Sequence, residues 1–251
     1  HNNLTLEMGG KSAAILFDDA NFENSLDAMF WNSVYYAGQV CTRTKRLLIH
    51  KNIYEKAKAR LLFLAKKFNN PHVLTQSIGP IITKSTIHML EHRISKAVAA
   101  GNILLEGGKH VAAADLPLEY KNGNFFPITV LEIKNREVDI LQRETFAPVL
   151  PLIPFETLEE ASVLANETKA GLSANIFTEN EKNIAYLIEK LDAGMIFVND
   201  SEVAYPGGNY WKGAGGSYLA TGSDDRFECM FVKKVIWQKK SSVRREYWFA
   251  S

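Results

Sequence analysis

Short apolar runs alternate, along almost the whole chain, with longer stretches that repeat an apolar residue every three or four positions. The runs Ala13–Phe17, Arg46–His50, Ile103–Glu106, Ile128–Glu132, Leu150–Phe155, Ser173–Thr178 and Met195–Asn199 are short enough to be buried strands. The longer period predicts helices over Asn21–Tyr36, Ile53–Phe68, Lys84–Ala100, Leu158–Asn166 and Lys182–Leu191. In the first, Phe22, Leu26, Met29, Phe30 and Ser33 share a face, and Asp18-Asp19 is the expected cap. In the second, Ile53, Ala57, Leu61 and Leu64 do so, and Gly101 stands where the third helix should end, at C′. Strands alternating with helices of this length predict an α/β fold with a doubly wound, mostly parallel sheet. In such sheets ligands gather at the carboxyl ends of strands, so the catalytic groups are expected there. Tyr205–Gly222 carries six glycines and neither period, which predicts a loop, and Phe231–Gln238 is a further strand near the C-terminus.

Composition narrows the field of functions. The chain has 251 residues, 46% hydrophobic and 23% charged, ordinary values for a globular domain with a substantial core. A net charge of +1 gives no basic field for a polyanion, so nucleic acid is not the expected partner. No apolar run approaches the 18 residues of a membrane span, and no signal-peptide pattern opens the chain. The two cysteines, Cys41 and Cys229, fit a reducing, cytoplasmic compartment in which thiols stay free. Of the six histidines only His88 and His92 stand four apart on a helix, without the glutamate of a zinc motif, so no metal site is expected. The basic and aromatic tail, Lys239–Ser251, reads as a solvated end.

Three segments carry chemistry. Leu4–Lys11, LTLEMGGK, sets Glu7 before a glycine pair, where the backbone must approach something closely. Tyr36–Arg46, YAGQVCTRTKR, sets Cys41 in a turn between a helix and a strand. A thiol and a carboxylate on two tight turns suffice to form a thioester and then hydrolyse it. A free thiol with a pKa of about 8.5 needs activation, which backbone N–H groups, Lys45 or Arg43 could each supply. Cys229 has no comparable context, and Lys11 is expected to support its turn. The third segment is Arg143–Val149, RETFAPV.

In order and separation these segments resemble the catalytic half of the aldehyde dehydrogenase superfamily, from about Leu4 to about Gln238. The resemblance implies Cys41 as nucleophile and Glu7 as the base that activates water. It also implies that Glu144 and Phe146 hold the nicotinamide ribose of NAD or NADP, and that the substrate is a small-molecule aldehyde. Ala147 stands where the family commonly has glycine, and Asn199 resembles a family asparagine near the substrate tunnel. By the same likeness residues 4–228 form the catalytic domain, residues 229–240 an oligomerisation strand and residues 241–251 a tail. The strand extends onto a neighbouring subunit, so a homo-oligomer (dimer or tetramer) is expected. The glycine-rich loop departs from the family pattern: Pro206-Gly207-Gly208 lacks the phenylalanine, Lys212 replaces serine, and Gly216-Ser217 replaces Arg-Glu. Family members carry a dinucleotide-binding segment before the Glu-Gly-Gly motif, whereas three residues precede Leu4 here. The chain is therefore expected to be a piece of an enzyme, inactive or nearly so alone. Two other readings remain: a CoA-acylating or phosphorylating relative, against which Glu7 argues, and a non-catalytic relative that keeps only the fold.

Overall fold

The computed structural model describes residues 8–201, 214–215 and 234–238. Glu7, Cys229, most of the glycine-rich loop and the tail 239–251 lie outside the described residues. Strand β1 (Ala13–Leu16) leads into α1 (Phe22–Val34), β2 (Arg46–His50) and α2 (Tyr54–Phe68). A short α3 (Pro71–Val73) and α4 (Lys84–Ala99) precede β3 (Ile103–Glu106) and β4 (Thr129–Glu132). Then come α5 (Asp139–Gln142), β5 (Val149–Phe155), α6 (Leu158–Ala165), β6 (Ala170–Gly171) and β7 (Ser173–Phe177). The series closes with α7 (Glu181–Lys190), β8 (Met195–Val198), β9 (Ala214–Gly215) and β10 (Val235–Gln238).

Eight strands form one sheet in the order β10-β8-β7-β1-β2-β5-β4-β3. Every neighbouring pair is parallel except β3 with β4 at the edge. β1 sits between β2 and β7, with Ile15 opposite Leu48 on one side and Ile176 on the other. All four of its residues are buried, as a strand covered on both faces requires. The two predicted apolar faces are the observed ones: Leu26, Met29 and Phe30 of α1 and Ala57, Leu61 and Leu64 of α2 are buried in one continuous core. Gly101 takes φ +95° just past α4, the left-handed conformation that ends a helix there.

Three expectations need correction, and two short helices were not expected. Asn21, not Asp18-Asp19, caps α1, its side chain accepting from the Asn24 N–H. The two aspartates instead tie strand ends together, Asp19 accepting from Thr178 Oγ1 at 2.7 Å and Asp18 from Asn52 Nδ2 at 2.6 Å. The first helix stops at Val34, because Tyr36 and Ala37 turn left-handed at φ 50° and 54°. Within the glycine-rich segment Ala214–Gly215 is a strand, paired antiparallel with β6. Finally, α3 runs on into a π-helical turn, Leu74–Ile78, and α5 is a single turn; both are too short to show a period in the sequence.

The C-terminal strand forms over Val235–Gln238 and pairs in parallel with β8 of the same chain, at the sheet edge. Among the described residues no helix is long and apolar enough to cross a membrane.

Candidate active site

Gly9-Gly10 precede β1, Cys41 precedes β2, and Glu144 and Phe146 precede β5. Since these strands run parallel, the three segments meet at the amino ends of neighbouring strands, not at the carboxyl ends. Asn199, by contrast, follows β8 and lies at the opposite rim. Its side chain brackets Thr178, accepting from the Thr178 N–H and donating to the Thr178 carbonyl, both at 3.0 Å. That arrangement ties the ends of β7 and β8 together at that rim.

The turn that presents Cys41 is held from several sides. Tyr36, Ala37 and Gly38 are three consecutive left-handed residues, a strained path for the first two. Gln39 fastens it: its amide donates to the Tyr36 and Pro80 carbonyls and accepts from the Ile82 N–H at 3.0 Å. Cys41 is half-buried, and with Val235 and Trp237 it packs against Leu172, Met195 and Phe197.

The glycine pair approaches both partners, as its composition required. The Gly10 N–H donates to Glu144 Oε1 at 2.9 Å, and a Cβ on Gly10 would come 2.9 Å from the Cys41 carbonyl oxygen. Gly9 has φ +48°, and a Cβ there would fall 2.0 Å from Glu144 Oε2. Gly9→Ala therefore combines a left-handed alanine, costing about 1–2 kcal/mol, with displacement of the carboxylate. A loss of about 2–3 kcal/mol is expected, read as a melting temperature lower by roughly 4–10 °C.

Lys45 sits at the centre. Its side chain is 0% exposed, and its ammonium donates to the Gly10 carbonyl at 2.8 Å, to the Cys41 carbonyl at 2.7 Å and to Glu144 Oε1. It also lies 5.2 Å from the centre of the Phe146 ring. One ammonium thus joins all three segments. The Glu144 and Phe146 side chains remain reachable: Glu144 is 31% and Phe146 37% exposed.

Further cations are buried beneath. Arg43 donates to the carbonyls of Gly38, Ser33, Thr44, Thr145 and Ala147. Arg46 donates to Lys11 O at 2.9 Å and to the last carbonyls of α6, Leu164 at 2.7 Å and Ala165 at 2.6 Å. This suits the negative end of a helix dipole. Lys11 reaches Thr145 Oγ1 at 3.1 Å, so it ties the glycine turn to the Arg-Glu-Thr-Phe segment. Burial, reinforced by Arg43, Lys45, Arg46 and Arg93, pushes Lys11 well below the ordinary lysine range. Burial and Arg43 also lower Lys45, to about 8, while Glu144 and Cys41 raise it. Burial brings Arg43 to about 9 and Arg46 to about 10, so both stay charged at neutral pH. The contributions of Lys45, Arg43 and Gln39 to the site have no motif of their own in the sequence. Among the described residues no group of acidic, histidine or cysteine side chains could hold a metal.

The model of the aldehyde dehydrogenase family matches residues 1–235. The chain belongs to the aldehyde dehydrogenase family. It is 35% identical over 196 residues to the alpha-ketoglutaric semialdehyde dehydrogenase of Bacillus subtilis, covering 77% of this chain and 39% of that protein. To the 3,6-anhydro-alpha-L-galactose dehydrogenase of a Vibrio species it is 31% identical over 243 residues, or 94% of this chain and 48% of the relative. Among solved structures, betaine aldehyde dehydrogenase from Staphylococcus aureus, in complex with NAD+, superimposes with a TM-score of 0.78 at 32% identity. The match covers 86% of this chain and 42% of that one. The chain thus spans less than half the length of these relatives.

Proposed function

We propose that this chain supplies the catalytic residues of an NAD(P)-dependent aldehyde dehydrogenase, with Cys41 as nucleophile and Glu7 as general base. The observation that carries this reading is the convergence of Gly9-Gly10, Cys41 and Glu144 on the Lys45 ammonium. It brings the nucleophile's turn, the glycine turn that follows Glu7 and the expected ribose carboxylate to one rim of the sheet.

The Cys41 thiolate attacks the carbonyl carbon of the aldehyde, forming the C–S bond as the carbonyl electron pair moves to oxygen. The Cys41 backbone N–H is the donor from this chain expected to hold that oxyanion. The fit to a dinucleotide rests on Glu144 and Phe146. Oε1 of Glu144 is occupied by Lys45 and Gly10, whereas Oε2 lies over Gly9, where the missing Cβ leaves room for the carboxylate. Oε2 is thus positioned to accept from a ribose hydroxyl, with the half-exposed Phe146 ring beside it. When bound, the nicotinamide is the acceptor of the substrate's hydride. Glu7 takes a proton from water, whose oxygen attacks the thioester and releases the carboxylate product and the thiol.

The protein carrying this chain is proposed to act in the cytoplasm on a small-molecule aldehyde, as a homo-oligomer. The half-exposed outer edge of β10, including Ile236, is where a second copy would be engaged. The decisive variant is Glu7→Gln. Pre-steady-state kinetics should still show a burst of reduced cofactor, while steady-state turnover falls on the order of 10²–10³-fold. Loss of the burst together with turnover, or unchanged turnover, would remove Glu7 from the role of base.

A further inference from the structure

Lys45 does more than brace a turn. Its ammonium is fully buried, hydrogen-bonded to the backbone of the very residue that bears the thiol, and paired among the described residues with the Glu144 carboxylate. A cation one carbonyl away from a sulfur favours the thiolate, and an acid bonded to that cation weakens the pull. We propose that Lys45 is the positioning cation that sets the ionisation of Cys41, and that Glu144 is the counter-charge that moderates it.

Three observations support this. Lys45 and Cys41 are electrostatically coupled, the charge of Cys41 acting to keep the proton on Lys45. Among the described residues, the groups facing Lys45 are Glu144 from the segment before β5, Lys11 from the segment before β1, Arg43 from its own turn, the carbonyls of Gly10 and Cys41, and the Phe146 ring. Of these, Glu144 is the one that offsets the ammonium's charge. Lys45 also remains mostly protonated at neutral pH, losing its proton near pH 8. Because Glu144 is also the proposed ribose acceptor, cofactor site and nucleophile share one ammonium. A hydroxyl donating to Glu144 Oε2 spreads the carboxylate charge and leaves more of the Lys45 field to the sulfur. The inference rests on reading Cys41 as the nucleophile, and its test separates the two.

The rate of Cys41 alkylation by iodoacetamide is followed by peptide mass spectrometry from pH 5.5 to 9.5, with Cys229 as internal reference. Lys45→Met should slow Cys41 labelling about tenfold at pH 6.5, with the rates converging at the alkaline end. Glu144→Gln keeps an acceptor for Lys45 but removes the charge, so it should quicken labelling severalfold at pH 6.5. The double variant should label at the Lys45→Met rate. If both single variants shift the rate in the same direction, or leave the pH profile in place, Lys45 only packs and the proposal fails. Lys45→Gln and a melting curve guard against misfolding of the methionine variant, and Glu144→Gln alone overturns the proposal if it slows labelling. Wild-type Cys41 reacting no faster than Cys229 would instead sink the nucleophile reading, whatever the variants do.

Discussion

Steady-state aldehyde oxidation is expected to fall on the order of 10⁴-fold when Cys41 is replaced by serine, with the fold intact. A serine hydroxyl in this turn stays protonated at neutral pH, and the cations around it would not suffice to ionise it. The half-buried position tolerates oxygen for sulfur, so stability should change by no more than about 0.5 kcal/mol. The change is read in cofactor reduction by the protein that carries this chain, alongside urea denaturation of both forms. Retention of more than a tenth of the activity would place the nucleophile elsewhere. A large fall in stability would mean that Cys41 holds the turn rather than reacts.

The largest expected loss of stability follows from Arg43→Met. The guanidinium is fully buried, and its fork serves the carbonyls of Gly38, Thr44, Thr145 and Ala147, with Ser33 more distant at 3.3 Å. It therefore joins the left-handed turn before Cys41 to the segment that carries Glu144 and Phe146. Methionine fills similar volume but leaves these oxygens without donors, and each buried acceptor left unpaired costs about 1–3 kcal/mol. Partial rearrangement keeps the total below that sum, at about 3–5 kcal/mol. Arg43→Lys should recover only part, since one ammonium cannot reproduce a planar fork of donors. Urea unfolding gives the answer: a loss under about 1 kcal/mol for Arg43→Met would show that water or other donors replace the guanidinium.

Much of the architecture was legible because the signal is local. Arg46–His50 and Ile103–Glu106 form strands over the residues that their apolar character predicts. The faces of α1 and α2 follow from spacing alone, since a helix that buries one stripe must repeat it every 3.6 residues. The cap of α1 is not legible in the sequence because Asp18, Asp19 and Asn21 are all competent capping residues. Their competition is decided by what else each can reach, and Thr178, Asn52 and His50 draw the aspartates away. Pro71–Ile78 escaped because a single tight turn has no period to detect.

The site was half legible. Cys41, Glu144 and Phe146 stand out through short motifs, and the structure brings them together around Lys45. Lys45 and Arg43 could be suspected only as nearby charges, because nothing local says that a lysine or arginine points inward. Burial of a cation depends on which oxygens surround it, and here some of those come from a segment about a hundred residues away.

The resemblance of its motifs to a known family singled out one thiol and two carboxylates; by its own order of residues, the chain determined where strands and helices fall and that the sheet is mostly parallel. These are properties of spacing and side-chain type within a few residues. Tertiary structure alone decided that the motifs meet at the amino rim of β1, β2 and β5, that Asn199 lies at the other rim, and that Lys45 joins three segments. Those outcomes depend on strand order and on long-range partners for buried charge, and a one-dimensional pattern holds neither.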